Sequence, residues 1–307
     1  MGHEIKNIHD KFFKSLLSDR DIAIDWLRTF LPQPILEQLD ITSLAPASNS
    51  FITPELQESF ADVVFKCKLS GSKEGYLSII LEHKSYPDEY AAIQLLFYVA
   101  NAYIIQWKSK LPLEPVIPVL FYHGKENWQY RPLSSMFNKL PESIRAFVPD
   151  VFPVFVDATQ MSDETFLSMG NLFLGSALLL QKYSRSPEDL VKKASQIFGS
   201  LDTSGHRNLL PTLFVYFVEM AEIPVEELNR LLETLPKSIK SDFMSTYEKI
   251  LEKGIEKGIE KGIDLEKINI ISKGLSNGLS LEILAELTNW PLEKVRQIAV
   301  QLKKSTD

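Results

Sequence analysis

The clearest pattern in the N-terminal half of the chain is a pair of strand-like segments separated by a turn. Residues 60–69 read FADVVFKCKL, residues 75–85 read GYLSIILEHKS, and a Ser-Gly-Ser turn follows the first segment. Segments rich in β-branched and aromatic side chains and bounded by turn residues are typical of β-hairpins. The pattern therefore predicts an antiparallel hairpin.

Apolar runs after the hairpin predict a helix and two further strands. Residues 90–110 have a broad apolar face at helical spacing, and residues 116–122 (VIPVLFY) form a short apolar run that suits a buried strand. Residues 151–156 (VFPVFV) form a second run. Its Pro153 favours an edge or bulged position, because proline lacks the N–H that pairs with a neighbouring strand. Together these segments predict an α/β core.

Helical spacing of apolar residues dominates the rest of the chain, whereas residues 35–49 have the mixed pattern of a connector. The predicted helices cover residues 6–17, 23–31, 172–183, 187–198, 209–220 and 225–235. We therefore expect the α/β core within residues 1–160 and a helical extension over residues 161–247.

A four-residue repeat marks residues 248–264, where each of three glycines is followed by an isoleucine. Glycine costs a helix about 1 kcal/mol relative to alanine. The segment is therefore either a solvated linker or a helix stabilised by a partner that the glycine row allows to approach closely. A spacing of four exceeds 3.6, so the apolar row drifts in the right-handed sense. On the second interpretation we expect a homo-oligomer formed through this helix.

The C-terminal residues 265–307 predict a small helix-turn-helix-like tail. Residues 281–287 and 292–302 follow a helical pattern, Ser280 is a suitable N-cap, and Pro291 suits the opening of the last helix. Many small helical hairpins share this outline, so the pattern alone does not assign a DNA-binding role.

Composition indicates an ordinary globular protein, with 45% hydrophobic and 24% charged residues. The net charge of -7 argues against a protein that coats nucleic acid by bulk electrostatics, but it is compatible with an enzyme that gathers a divalent cation. One cysteine, Cys67, cannot form an internal disulfide, which fits a reducing compartment. With neither a signal peptide nor a membrane span evident, we expect a cytoplasmic protein.

Three charged residues interrupt the strand-like segments and form the candidate active site. Asp62 lies in the first segment, and Glu82 and Lys84 lie near the end of the second. Side chains at i and i+2 of a strand point to the same face, so Glu82 and Lys84 share a face and His83 points to the other. In a hairpin, Asp62 can join them. Such a set suits a magnesium-dependent phosphodiesterase, but it also suits a cross-strand salt bridge on a solvated face.

The order of four short motifs strengthens the first interpretation. They are HDKFFK at residues 9–14, Ala61-Asp62, LEHKS at residues 81–85 and PVLFYHG at residues 118–124. This succession resembles the recombination-promoting nuclease family, often labelled "putative transposase", within the PD-(D/E)xK nuclease superfamily. The resemblance covers roughly the first 125 residues, and the glycine repeat with its helical tail resembles the C-terminal end of the family.

The resemblance implies an α/β restriction-endonuclease-like core, a mixed sheet flanked by helices, followed by an all-helical C-terminal region. It also implies DNA cleavage of low sequence specificity that depends on Mg²⁺ or Mn²⁺ and is linked to recombination or mobile-element conflict. Asp62 and Glu82 would then be metal ligands and Lys84 the catalytic lysine, although many members have glutamine at the lysine position. A binding module that keeps the nuclease fold and regulation through an oligomerising tail are the alternatives.

Five further residues are candidates for auxiliary roles. Asp10 could approach the metal and His9 could orient it, or both could brace the first helix. Gln94 and Tyr98, four residues apart on one helix face, could contact DNA phosphate or brace the catalytic strand. His123 and Gly124 end a strand at a turn, where the glycine most simply serves the backbone and His123 could serve the site.

Overall fold

A computed structural model describes residues 2–47, 63–71, 76–110, 112–199, 201 and 205–304. The chain forms two compact units, Met1–Phe243 and Met244–Asp307. The predicted core and nearly all of the predicted helical extension therefore belong to the same unit. No helix in the described ranges is both long enough and apolar enough to cross a membrane.

A five-stranded mixed sheet forms the centre of the first unit. Its strands are β1 (Leu39–Pro46), β2 (Val63–Leu69), β3 (Tyr76–Lys84), β4 (Val116–Tyr122) and β5 (Val154–Asp157). They lie in the order β1-β2-β3-β4-β5; β1, β2 and β3 are antiparallel neighbours, and β4 and β5 continue parallel to β3. The predicted fold class, a mixed sheet flanked by helices with a helical C-terminal region, is confirmed.

The predicted hairpin is confirmed by the register of β2 and β3, in which Val63 faces Leu81 and Phe65 faces Ile79. The strand β5 begins directly after Pro153 and lies at the sheet edge, as the proline indicated. The connector prediction for residues 35–49 was wrong, because β1 pairs with β2 there. Its buried residues, Leu39 and Leu44, are five positions apart, and the register shifts between Asp40 and Ala45, so the strand lacks a regular apolar alternation.

Helices cover both faces of the sheet and predominate among the described residues outside it. In the first unit they are α1 (Gly2–Ser18), α2 (Arg20–Phe30), α3 (Gln33–Leu36), α4 (Ala91–Lys108), α5 (Glu142–Arg145), α6 (Asp163–Leu167), α7 (Leu172–Tyr183), α8 (Pro187–Gly199), α9 (Leu210–Ala221) and α10 (Val225–Thr234). Three 3₁₀ turns lie at Leu133–Phe137, Ala158–Gln160 and Arg207–Leu209. The short elements α3, α5 and α6 escaped prediction because one turn of helix carries too little periodicity.

The two faces of the sheet pack against different helices. On one face, Ile80 and Leu120 join Leu95 and Tyr98 of α4 in an apolar cluster. On the other face, Phe121 stacks on Phe13 of α1 with ring centroids 5.5 Å apart. Alternation along β3 and β4 sends successive side chains into these two layers.

The helix α11 (Lys237–Ser276) contains the glycine repeat, so the predicted helix is observed there, while self-association stays a prediction. In the second unit, α12 (Leu281–Thr288) and α13 (Leu292–Lys304) pack around a small core of Ile271, Leu284 and Val295. The Ser280 hydroxyl accepts a hydrogen bond from the Ile283 N–H and so caps α12 as predicted.

Candidate active site

Glu82 and Lys84 lie on one face at the carboxyl end of β3, in the interior of the sheet. Their register partners on the parallel strand β4 are Leu120 and Tyr122. Both charged side chains are about as buried as the core, each residue being 5% exposed. This burial is incompatible with a salt bridge on a solvated sheet face. Two buried charges must instead be compensated locally, since desolvation of an unpaired charge is costly.

The compensation is a hydrogen-bonded network centred on the Lys84 ammonium. Lys84 Nζ lies 3.1 Å from Glu82 Oε1 and 2.9 Å from Asp88 Oδ2, and it donates to Gln94 Oε1 at 2.5 Å. Gln94 Nε2 in turn donates to Glu82 Oε1 at 2.9 Å and contacts the Tyr98 hydroxyl. The structure thus brings Glu82, Lys84, Gln94 and Tyr98 together. We call this set, with Asp88, the charged face.

The charged face keeps Lys84 protonated. Burial acts to lower the pKa of Lys84, but the attraction of Glu82 and the hydrogen bond and charge of Asp88 outweigh it, so that the pKa lies above its ordinary value. At neutral pH, Lys84 is therefore a hydrogen-bond donor and a fixed positive charge. It has no lone pair with which to accept a proton.

Asp88 is a member of the charged face that sequence reasoning missed. It lies in the turn between β3 and α4, where its carboxylate also accepts a hydrogen bond from the Tyr90 N–H at 2.9 Å. Strand alternation could not find it, because the chain has already left the sheet at this point. The available signal was the i,i+4 spacing of Lys84 and Asp88 across a Pro-Asp turn.

The third predicted catalytic residue, Asp62, lies outside the described residues. The strand β2 begins at the next residue, Val63, whose register partner is Leu81. Leu81 is the neighbour of Glu82 in β3.

The other auxiliary candidates lie on the opposite side of the sheet. The His83 ring stacks on Phe13 at 4.8 Å and on His123 at 5.3 Å, and His9 lies 5.3 Å from His123 between ring centroids. Asp10 Oδ1 lies 3.6 Å from His83 Nε2. We call His9, His83 and His123 the histidine face. Their rings pack on the side of the sheet opposite the charged face, and the two faces meet through the backbone, where the His123 N–H donates to the Lys84 carbonyl oxygen at 3.0 Å.

Burial holds two of these rings neutral. Desolvation, followed by the charge of Arg185, lowers the pKa of His9 to about 3, and desolvation followed by the neighbouring His83 lowers the pKa of His123 well below its usual value. His9 Nδ1 pairs with the Tyr216 hydroxyl at 2.5 Å, and His123 Nδ1 lies 3.3 Å from the Gln181 carbonyl oxygen. The histidine face is therefore an aromatic layer in which His9 and His123 are neutral.

The turn after β4 is unusually tight. A Cβ added at Gly124 would lie 2.5 Å from Tyr122 Cζ. Tyr122 cannot easily move away, because its ring is fully buried and its hydroxyl donates to the Glu126 carbonyl oxygen at 2.7 Å. Gly124 therefore has the backbone role predicted for it, because its lack of a side chain permits this close approach.

The donor set of the charged face suits a hard cation only in part. Glu82 offers buried carboxylate oxygens, the donor type that Mg²⁺ prefers. In the described part of the chain, no group of three or more His, Cys, Asp or Glu side chains could hold a metal ion. A third protein ligand for Mg²⁺ would therefore come from outside these residues, with water and phosphate oxygens completing the shell.

A mixed sheet with flanking helices and a buried glutamate–lysine pair at the end of a central strand defines an α/β protein with a nuclease-like core. The chain belongs to the family described as "Putative transposase, YhgA-like", whose model matches residues 7–208. This confirms the family that the four motifs indicated.

Curated relatives carry nuclease names. The recombination-promoting nuclease RpnC of Escherichia coli (strain K12) is 30% identical over 299 residues, which cover 94% of this chain and 96% of that protein. RpnA of the same strain is 30% identical over 220 residues, covering 70% and 73%. The "inactive recombination-promoting nuclease-like protein RpnE", also of that strain, is 27% identical over 237 residues, covering 74% and 75%. No solved structure matches the chain significantly.

Proposed function

We propose that this protein is a metal-dependent DNA endonuclease that hydrolyses phosphodiester bonds with low sequence specificity, in the setting of recombination or mobile-element conflict. The observation that carries the proposal is the burial of Glu82 and Lys84, 3.1 Å apart, at the carboxyl end of a central strand. Burying such a pair stabilises a fold little, because desolvation offsets the attraction. A catalytic role accounts for a pair that stability alone does not require.

Glu82 and Asp62 would hold Mg²⁺, or Mn²⁺ in its place. Asp62 enters this proposal through its chain position next to Val63, which pairs with the residue preceding Glu82. When bound, the metal supplies a water of lowered pKa and positive charge beside the phosphate oxygens.

The lysine contributes positive charge beside the reacting phosphate. Because Lys84 is protonated, its charge stabilises the negative charge that builds up on the phosphate oxygens. Gln94 donates to Glu82 and accepts from Lys84, so it holds both side chains in place. Gln94 is thus a positioning residue.

A plasmid-nicking assay tests this function. Nicking of supercoiled DNA should require Mg²⁺ or Mn²⁺, and Asp62→Ala, Glu82→Gln and Lys84→Ala should each abolish it while the proteins stay folded. Lys66→Ala is the matched control, since Lys66 forms a 2.9 Å ion pair with Glu114 from the neighbouring strand β2 and should leave nicking unchanged. Nicking that persists in chelator, or in Glu82→Gln, would contradict the proposal.

A binding module on a nuclease scaffold is the second candidate, and it is favoured by the similarity to a relative named as inactive. This alternative predicts that the wild-type chain binds DNA but does not nick it in Mg²⁺ or Mn²⁺. The gel that measures nicking therefore separates the two candidates when it is run beside a binding assay.

We also propose that the glycine repeat joins copies of the chain into a homo-oligomer. Ile255, Ile259 and Ile263 are 63%, 59% and 51% exposed, and a Cβ added at Gly254, Gly258 or Gly262 would meet no atom within 4 Å. A second copy presents the same row of small and apolar residues, so two rows can pack closely. Sizing by light scattering should show Ile259→Ser to reduce the oligomer. An unchanged mass in that variant would contradict this interface.

A further inference from the structure

Arg185 is a cationic side chain that reaches the end of β3 from the helical part of the first unit. It lies in the short link between α7 and α8, and its Nη2 donates to the hydroxyl of Ser85, the residue after Lys84. The His123 N–H donates to the Lys84 carbonyl oxygen at 3.0 Å, which fixes the same edge of the sheet. In open α/β sheets, ligands bind beyond the carboxyl ends of the parallel strands, where Ser85 lies.

The charge of Arg185 has no carboxylate to balance it. In the ranges that the structure describes, no Asp or Glu oxygen lies within ion-pair distance of its guanidinium, and its buried Nε has no hydrogen-bond partner. Two other cations of the same unit are paired: Lys182 lies 2.9 Å from Asp163 and Arg207 lies 2.7 Å from Asp242. Arg185 differs from them because its guanidinium has a buried nitrogen without a hydrogen-bond partner.

The described groups on which the charge of Arg185 acts are neutral side chains. They are His9, Tyr122, His123 and Tyr216, and burial keeps these histidines and tyrosines neutral. A partly buried cation among neutral groups costs free energy, and an incoming anion would recover that cost. A guanidinium with free donor capacity matches the geometry of a phosphate group.

We infer that Arg185, held by Ser85, is the binding site for a backbone phosphate of the DNA that crosses the carboxyl edge of the sheet. This inference rests on the proposed function. It adds a DNA contact from the helical region to the contacts that the charged face would make. Arg185 sets the position of the DNA strand, while the charged face acts on the bond to be cut. The ligand class is a phosphodiester, with no requirement for a particular base.

Salt-dependent binding tests the inference. Anisotropy of a labelled DNA duplex is measured with the Glu82→Gln protein, so that cleavage does not interfere, at several salt concentrations. Adding Arg185→Gln should weaken binding about tenfold and reduce the slope of log K against log [salt] by about one, as expected for one lost phosphate contact. Arg185→Lys should retain the slope but lose affinity, since the charge remains without the planar fork.

Arg207→Gln is the matched control, because it removes a paired arginine from the surface of the same unit. Its affinity and slope should equal those of the parent protein. Equal slopes for Arg185→Gln and its parent would overturn the phosphate contact, even if the protein nicks DNA in the plasmid assay.

A second probe keeps the inference testable if the nuclease function fails. Inorganic phosphate at fixed ionic strength should raise the thermal midpoint of the wild-type protein and leave that of Arg185→Gln unchanged. Without phosphate, Arg185→Met should unfold at the same temperature as wild type or higher, because it removes an unbalanced charge. Equal phosphate effects in wild type and Arg185→Gln, or no effect in either, would refute the anion site.

Discussion

The two faces of the sheet differ most where β3 and β4 end. On the charged face, the Lys84 ammonium lies 3.1 Å from Glu82, and Gln94 forms hydrogen bonds with both side chains. On the histidine face, His9 and His123 are equally buried but stay neutral. The two arrangements lie on opposite sides of β3 and compensate burial in different ways. A charged side chain is kept and paired on one side, and two neutral rings pack on the other.

The largest effect should come from removing the Lys84 ammonium, which compensates the carboxylates of the charged face. Lys84→Met leaves Glu82 and Asp88 without their shared cation, so we expect nicking to slow by about 100-fold or more and stability to fall by about 3 kcal/mol. Urea unfolding and plasmid nicking measure the two losses. Lys66→Met, which breaks a more exposed pair, should cost less than about 1 kcal/mol. Equal stability losses in the two variants would contradict the special burial of the charged face.

The second-largest effect should come from lowering the pH, which acts on the histidine face. The unfolded chain binds protons at histidine below about pH 6.5, whereas folded His9 remains neutral until about pH 3. Stability is therefore full above pH 6.5 and falls as the pH drops, with His9 accounting for about 2 kcal/mol of the loss between pH 6.5 and 5. Lys84, whose pKa is raised, keeps its charge throughout this window.

The variant His9→Phe should flatten this acid dependence by about 2 kcal/mol, measured as the free energy of unfolding at several pH values. Tyr216→Phe is its control, since it removes the hydroxyl that pairs with His9 but leaves the histidine in place. Parallel curves for His9→Phe and wild type would show that His9 does not cause the dependence.

The smallest effect should come from the edge of the charged face. Asp88→Asn keeps an acceptor for the Tyr90 N–H but removes one of the charges that raise the pKa of Lys84. We expect a few-fold lower nicking rate, and an alkaline limb of the pH profile that begins at lower pH. Glu89→Gln makes the same charge change at the next residue, on an exposed side chain, and should leave the profile where it was. A profile unmoved by Asp88→Asn would contradict the influence of Asp88 on Lys84.

The sequence predicted those elements whose own apolar pattern decides their structure. The limits of β4 and α7 agree with the predicted 116–122 and 172–183, because both are continuous apolar segments buried on all sides. The strand β1 could not be predicted in the same way. It is irregular and is held by pairing with β2 and by Arg20, which donates to the Leu44 carbonyl oxygen at 2.9 Å. These contacts come from other parts of the chain and leave no local signal.

The candidate site was likewise predictable only where a local sequence pattern determines the contact. Strand alternation correctly predicted that Glu82 and Lys84 share a face and that His83 leaves it, and helical spacing predicted the Gln94–Tyr98 contact. Sequence order could not indicate that His9, Asp10 and His123 meet on the reverse face. Asp88 and Arg185 were also missed, since a turn and an interhelical link position them through tertiary contacts.

Because of the close approach at Gly124, the side-chain size allowed at position 124 depends on the size of the side chain at position 122. Any larger residue there collides with a tyrosine ring that is enclosed and anchored through its hydroxyl. A change at this turn therefore becomes tolerable only when position 122 shrinks in step, so that the pair must vary jointly. Variants sampled at random over both positions should reveal this dependence as a strong pairwise coupling, absent between Gly124 and exposed Lys125.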